Sequence, residues 1–162
     1  RIAWYKIYYP VQFYSAFFTV RGGAIDAVAA VQGKEAVKRK MNEIKLKGNE
    51  ATAKEESQYV VLQIVIEMLA RGYEFLPVDL NKSDWRVYKI EDGKIRLPFS
   101  AIDGIGETAA QAIADAVQRN PDGFVASDDL ANEPGVGKSV VDALRAAGAL
   151  GDLPETIQIS LF

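Results

Sequence analysis

The 162-residue chain contains no cysteine and no histidine. Those two absences together exclude thiol nucleophiles, disulfide bridges, imidazole general bases and the usual zinc sites. A thiol-free chain also fits a reducing compartment, and a cytoplasmic location is expected. Long uninterrupted apolar runs are missing as well. The most apolar stretch, residues 2–20, is broken by Lys6, Pro10 and Gln12 and carries no charged leader or cleavage site. Neither a membrane span nor a signal peptide is read there, and no membrane partner is expected. Positive charge is scarce in one half only. Residues 97–162 hold 3 Lys/Arg against 10 Asp/Glu, whereas residues 1–60 hold 10 against 6. The chain opens on Arg1, without Met and in what reads as mid-helix, so a piece of a longer protein is expected.

What is present is a repeat. Ile102-Asp103-Gly104-Ile105-Gly106-Glu107-Thr108 leads into a helical pattern through Ile113, and Glu133-Pro134-Gly135-Val136-Gly137-Lys138-Ser139 leads into another through Leu144. The two copies keep a constant offset of 31 residues, the mark of one supersecondary unit used twice. Glycine supplies the backbone angles that a tight turn between two helices demands, and its missing Cβ admits a neighbouring backbone. Ile105 and Val136 are expected to point back into the core. The first turn of each following helix leaves N–H groups unpaired at the positive end of the dipole, a fit for phosphate oxygens. Thr108 and Ser139 add hydroxyl donors there, and Lys138 adds a charge. Both copies resemble the helix-hairpin-helix motif, which holds the sugar-phosphate backbone and does not read bases. The plain alternative is a helix–helix turn without a ligand.

Gly135-Val136-Gly137-Lys138-Ser139 also looks like the end of a nucleotide-binding P-loop. That motif needs Gly five positions before the Gly-Lys pair, where this chain has Asn132, and a buried strand feeding in, where 127–133 reads as a short polar helix. The nucleotide-hydrolase reading is rejected.

Eight of the sixteen aromatics lie in residues 1–20, at helical spacings, with Pro10 suited to open a second helix. Rings at such spacing are core before they are base-stacking platforms, and much of this surface is expected to pack on polypeptide outside the chain. Asp26 can cap a short helix to Gln32. In 34–47, Val37, Met41 and Ile44 form an apolar stripe, while Lys34, Lys38 and Lys45 share another face. Those lysines form either a solvated face or a further phosphate contact. Thr52-Ala53-Lys54-Glu55 is a capping box that starts a long helix ending near Gly72, with Val61, Ile64, Val65, Met68 and Leu69 inward. Strands are predicted at 75–79, 85–90 and 94–97, with Glu91-Asp92-Gly93 turning a hairpin. Ser127 is expected to cap the helix that enters the second repeat. The fold class is mainly α with a small antiparallel β element (α+β). It divides into a helical part at 1–72, a β linker at 73–97, a tandem helix-hairpin-helix domain at 98–150 and a tail at 151–162. Gln158-Ile159-Ser160-Leu161-Phe162 ends the chain with an apolar pair that either folds back or docks in a partner's groove.

That terminal peptide is similar to the one by which bacterial replication proteins attach to the sliding clamp, through Gln158, Leu161 and Phe162. The stretch 71–80 (Arg-Gly-Tyr-Glu-Phe-Leu-Pro-Val-Asp-Leu), followed by Pro98-Phe99-Ser100-Ala101-Ile102-Asp103-Gly104, resembles the C-terminal region of the bacterial replicative DNA polymerase III alpha subunit, PolC type. Tyr8-Tyr9-Pro10 and Phe13-Tyr14 resemble the late part of its fingers. The resemblance implies helices that complete the fingers, hairpins that grip duplex DNA, and a tail that tethers the polymerase to the clamp. It implies three partners: duplex DNA, the sliding clamp and the remainder of the polymerase chain. The magnesium-binding carboxylates of such an enzyme would lie outside this chain. No two Asp/Glu here are two residues apart, so no catalytic residue, metal site or cofactor is assigned to it. Two alternatives stay open: a tandem-hairpin subunit of a repair nuclease, and a hairpin pair used for protein association.

Overall fold

The computed structural model describes residues 2–157. Helices α1 (Ile2–Tyr8) and α2 (Pro10–Arg21) are separated where Pro10, lacking an N–H, takes the first helical position. The two helices part company in burial. On α2, Tyr14 and Phe18 lie one turn apart and are fully buried, whereas α1 buries no residue. The Phe18 ring meets Phe75 at 5.2 Å and Tyr88 at 5.7 Å, which docks α2 on the strands that follow.

Helix α3 (Ala27–Gln32) starts at Asp26, whose carboxylate accepts the Ala29 N–H. Helix α4 (Lys34–Lys47) buries Val37 and Ile44, with Met41 half-buried between them, and ends at Gly48. Helix α5 (Ala53–Ala70) opens on the full capping box of Thr52 and Glu55 and buries Val61, Leu62, Val65 and Met68. Ile64 and Leu69 are only half-buried, and Leu62 takes an inward place that the apolar spacing did not single out. Lys47, at the end of α4, pairs with Glu55. The hydrogen bond from Lys47 leads a set of contacts that hold the Glu55 carboxyl down to about 2.

The small sheet is mixed. Strand β2 (Lys89–Glu91) pairs antiparallel with β3 (Lys94–Arg96) across Asp92-Gly93, both at positive φ as a two-residue hairpin turn requires. Strand β1 (Phe75–Leu76) adds to the other edge of β3 in parallel. The predicted strand at 85–90 forms only from Lys89. Ahead of it, the Val87 N–H donates to the Asp84 carboxylate and the Tyr88 N–H to the Thr19 hydroxyl, so these amides leave the ladder. Tyr88 is buried, and burial pushes its hydroxyl's pKa up. Arg96 is buried yet satisfied, its guanidinium forked onto Glu91 and donating to the Pro77 carbonyl at 2.9 Å.

Helices α6 (Glu107–Arg119), α7 (Ser127–Ala131) and α8 (Gly137–Ala146) form the C-terminal part, and one apolar core runs from Tyr14 to Leu150. The 31-residue repeat holds in burial: Ala110 and Val141, and Ile113 and Leu144, are all buried. Ser127 does not cap α7. It is the first residue of the helix, buried, with its hydroxyl accepting from Arg145 at 2.7 Å, while the Asp129 carboxylate receives the Ala126 N–H. The half-buried Arg145 guanidinium takes that oxygen in place of the helix start. The chain then straps across α7: the Ser127 and Asp128 N–H groups donate to the carbonyls of Pro154 and Glu155 at 2.8 and 3.1 Å. No helix among the described residues is long and apolar enough to cross a membrane.

A polar cluster fastens α1 and α2 to α5. Tyr14 donates to Glu67 at 2.8 Å, Lys6 pairs with the same carboxylate, and Arg71 donates to the Tyr14 oxygen and the Lys6 carbonyl, each at 3.1 Å. Burial alone would raise the Glu67 carboxyl, but the hydrogen bonds from Lys6 and Tyr14 outweigh it and leave the carboxyl below its ordinary value. The unfolded chain therefore binds that proton first. The cluster's contribution is complete above the ordinary carboxylate value and is lost as pH falls through the depressed folded value. Thermal unfolding followed between pH 6 and about pH 3 should show this component in the natural chain and a shallower acid limb in Glu67→Gln.

Candidate nucleic-acid interface

The two repeats fold into closely similar turns. Gly104 (φ 87°) and Gly135 (φ 79°) take the left-handed backbone that side chains resist. Ile105 and Val136 follow, both buried, and donate their N–H groups to Ile102 and Glu133 at 3.1 and 3.2 Å. The third position differs. Gly106 is extended ahead of α6, whereas Gly137 (φ 75°) is itself the first residue of α8. The leading helices differ as well: a single 3-10 turn, Phe99–Ala101, precedes the first hairpin and α7 precedes the second.

No side chain caps α6 or α8, in contrast to α3 and α5. Gly104, Gly106, Thr108, Gly135, Gly137, Lys138 and Ser139 are all exposed, so both helix starts offer their amides and hydroxyls outward. Seven of the nine hairpin residues singled out from the sequence thus sit at the surface, with Ile105 and Val136 anchoring them from below.

The charges around the two turns are unequal. Asp103, beside the first, receives Lys54 at 2.9 Å, and that hydrogen bond and charge lower its pKa. Glu107 stands exposed at the start of α6. Beside the second turn, Glu133 is held by Arg119 at 2.8 Å and Asn120 at 2.7 Å, the Arg119 bond leading the fall in its pKa. Lys138 makes no ion pair among the described residues. The second helix start therefore carries the more favourable local charge for an anion of the two.

A groove of about 1260 Å³ lies between α3, α4 and the first hairpin, and Gly104, Ile105 and Gly106 line it. Arg39, Lys40 and Lys47 of α4 and Lys54 of α5 line it as well, together with Asp26, Glu43, Glu50, Glu55 and Asp103. Lys34, Lys38 and Lys45 are exposed but do not line the groove. At 100° per residue they fall on the opposite flank of the buried Val37–Ile44 stripe. The spacing of 39, 40, 43 and 47 marks the groove flank in the sequence, but only the tertiary fold says that this flank faces a hairpin. Lys40, Lys47 and Lys54 already pair with Glu43, Glu55 and Asp103. Gln158, Leu161 and Phe162 lie outside the described residues. Among the described residues no three carboxylates gather as a metal site.

Comparison with known proteins places the chain as follows. Residues 72–157 match a family model described as the helix-hairpin-helix motif. Over its full length the chain is 41% identical to the PolC-type DNA polymerase III of Thermotoga petrophila, of which it covers 12%. It is likewise 41% identical to the PolC-type polymerases of Caldanaerobacter subterraneus subsp. tengcongensis and Clostridium perfringens, covering 11% of each. The chain thus spans about an eighth or less of the length of these relatives.

The turn geometry separates the glycines. Gly104→Ala and Gly135→Ala should each lose about 1–2 kcal/mol to left-handed strain. Gly135→Ala should lose more, because its new Cβ would sit 3.0 Å from the Ala112 Cβ, whereas Gly104 faces open space. Gly106→Ala should cost less than about 1 kcal/mol, through cap preference alone. Urea unfolding of the three variants checks the order.

Proposed function

The chain belongs to the helix-hairpin-helix family, and from that premise we propose that it is the duplex-gripping and clamp-tethering part of a replicative DNA polymerase. In this reading it holds DNA through the sugar-phosphate backbone, without sequence preference, and performs no catalysis itself. The observation that carries it is the pair of uncapped helix starts, α6 and α8, each turned outward over a buried apolar anchor. Amides of Thr108 and Ser139 with their hydroxyls, and the Lys138 ammonium, meet phosphate oxygens; Gly104, Gly106, Gly135 and Gly137 let the backbone approach. Lys34, Lys38 and Lys45 would add contacts only if the duplex also passes the far flank of α4. Similarity to PolC-type polymerases along the whole chain supports the polymerase context. The divalent metal chemistry of nucleotide transfer would be carried by other parts of such an enzyme. Gln158, Leu161 and Phe162 would seat in the clamp, and the strap at Pro154 and Glu155 leaves only Thr156 and Ile157 between this fold and that peptide.

Two measurements test this. Duplex affinity should fall linearly with log salt and be equal, within about tenfold, for unrelated sequences. Lys138→Ala should weaken every sequence alike and shrink the salt slope by about one. A chain that binds no duplex at any salt concentration would instead favour a protein-association role for the hairpins. Removing Leu161 and Phe162 should abolish retention on immobilised sliding clamp and leave duplex affinity unchanged; clamp retention without them would overturn the tether.

A further inference from the structure

Three consecutive carbonyls beyond α8 are held in place. The Arg145 guanidinium donates to the Leu153 carbonyl at 3.2 Å, and the Ser127 and Asp128 N–H groups take those of Pro154 and Glu155. Leu153 is half-buried against the core, whereas Pro154 and Glu155 are exposed. Carbonyls of an exposed segment can bond water equally well, so this path has to be selected. Pro154 narrows the choice, fixing its own φ and biasing Leu153 towards extended backbone. Arg145 completes it. Its second terminal nitrogen donates to the Ser127 hydroxyl at 2.7 Å, and Ser127 is 2% exposed. No carboxylate pairs with Arg145 among the described residues, so its charge-assisted bonds go to this junction.

The junction is made with the second hairpin. Arg145 lies on α8, Ser127 and Asp128 open α7, and these two helices flank the turn at Gly135–Val136. The α7 donors are first-turn amides with no acceptor in their own helix, and the strap supplies one for each. The point where the chain leaves the fold is thereby fixed to the hairpin that carries Lys138. We propose that Arg145 is a positioning residue for the C-terminal peptide, pinning Leu153 so that the chain departs from α7 at Glu155, two residues ahead of Gln158. This rests on the clamp-tethering reading above. Without the guanidinium, only two amide bonds to exposed carbonyls remain, in competition with water. The unrestrained link ahead of Gln158 then grows from residues 156–157 to 151–157, because Leu150 is the last buried residue of the core. Going from two residues to seven lowers the effective concentration of the peptide about sixfold, by the −3/2 power of length.

The test compares the polymerase-length protein that contains this chain with its Arg145→Met form, which keeps an unbranched apolar stem and removes the donors. Three affinities are measured: for duplex alone, for sliding clamp alone, and for duplex threaded through the clamp. The first two should agree between the forms within about twofold, and the third should fall about sixfold in the variant. Arg145→Lys, whose single head can serve one of the two oxygens at a time, should fall between. A joint affinity that is unchanged or higher in Arg145→Met overturns the proposal. A fall in either single affinity large enough to account for the joint one also overturns it, in favour of support for the hairpin fold or of direct contact with the clamp. Hydrogen exchange reads the strap with no clamp present. The Ser127 and Asp128 amides should exchange about tenfold faster in Arg145→Met, since the strap is what protects them. Unchanged protection there sinks this inference alone, even where the clamp binds. A natural protein with no affinity for the clamp sinks the tethering reading and this inference together.

Discussion

Ile105 and Val136 are drawn under their turns, and that burial decides how α6 and α8 begin. Each anchor removes a branched aliphatic side chain from water, a gain of about 1.5–3 kcal/mol. Keeping it there requires the chain to reverse within two residues, which Gly104 and Gly135 permit through left-handed backbone. The anchors' own N–H groups are satisfied by Ile102 and Glu133, so the inward side of each turn has no unpaired amide at its centre. The unpaired donors are left on the outward side, at helix starts that no side chain closes. Core packing and a pair of open, uncapped helix starts are consequences of one turn.

Such a surface can work in an acidic half because its donors are backbone groups. Amides cannot be titrated or turned aside, and the helix dipole adds to them without any side-chain cation. The nearby carboxylates are largely committed: Asp103 to Lys54, and Glu133 to Arg119 and Asn120. Glu107 is the exception, since a carboxylate at a helix start competes for the very amides a phosphate would take. The two hairpins, alike at Gly104–Ile105 and Gly135–Val136, therefore also differ in electrostatics, and Lys138 tips the balance to the second.

Much of this was legible in the sequence, and what was not has physical reasons. Capping residues announce helix starts locally, so Asp26 and the Thr52–Glu55 box could be read directly. The constant offset of the repeats carried the anchors and the positive-φ positions. Ser127 looked like a cap because its type suits that place, but the half-buried Arg145 on another helix claimed its hydroxyl. Residues 85–88 looked like a strand because they are aromatic and branched, but their amides found side-chain acceptors in Asp84 and Thr19. The parallel addition of β1 to β3 had no local signal at all. Nor did the meeting of one α4 flank with the first hairpin across a groove, which follows from how α4 and α5 pack and not from either helix alone.

In the proposed reading, weak contacts become useful through how they are joined. Backbone amides grip every phosphate alike, so a duplex can move past them without meeting a preferred register. A second attachment through Gln158, Leu161 and Phe162 would begin only three residues beyond Glu155, whose carbonyl is fixed to α7. Three residues of extended chain reach about 10 Å. A link that short raises the effective concentration of one contact once the other forms, provided the clamp and duplex lie where both can be reached. Strong binding at either site is then unnecessary. The acidity of the hairpin half, awkward for a protein that must hold DNA alone, suits one whose hold is shared.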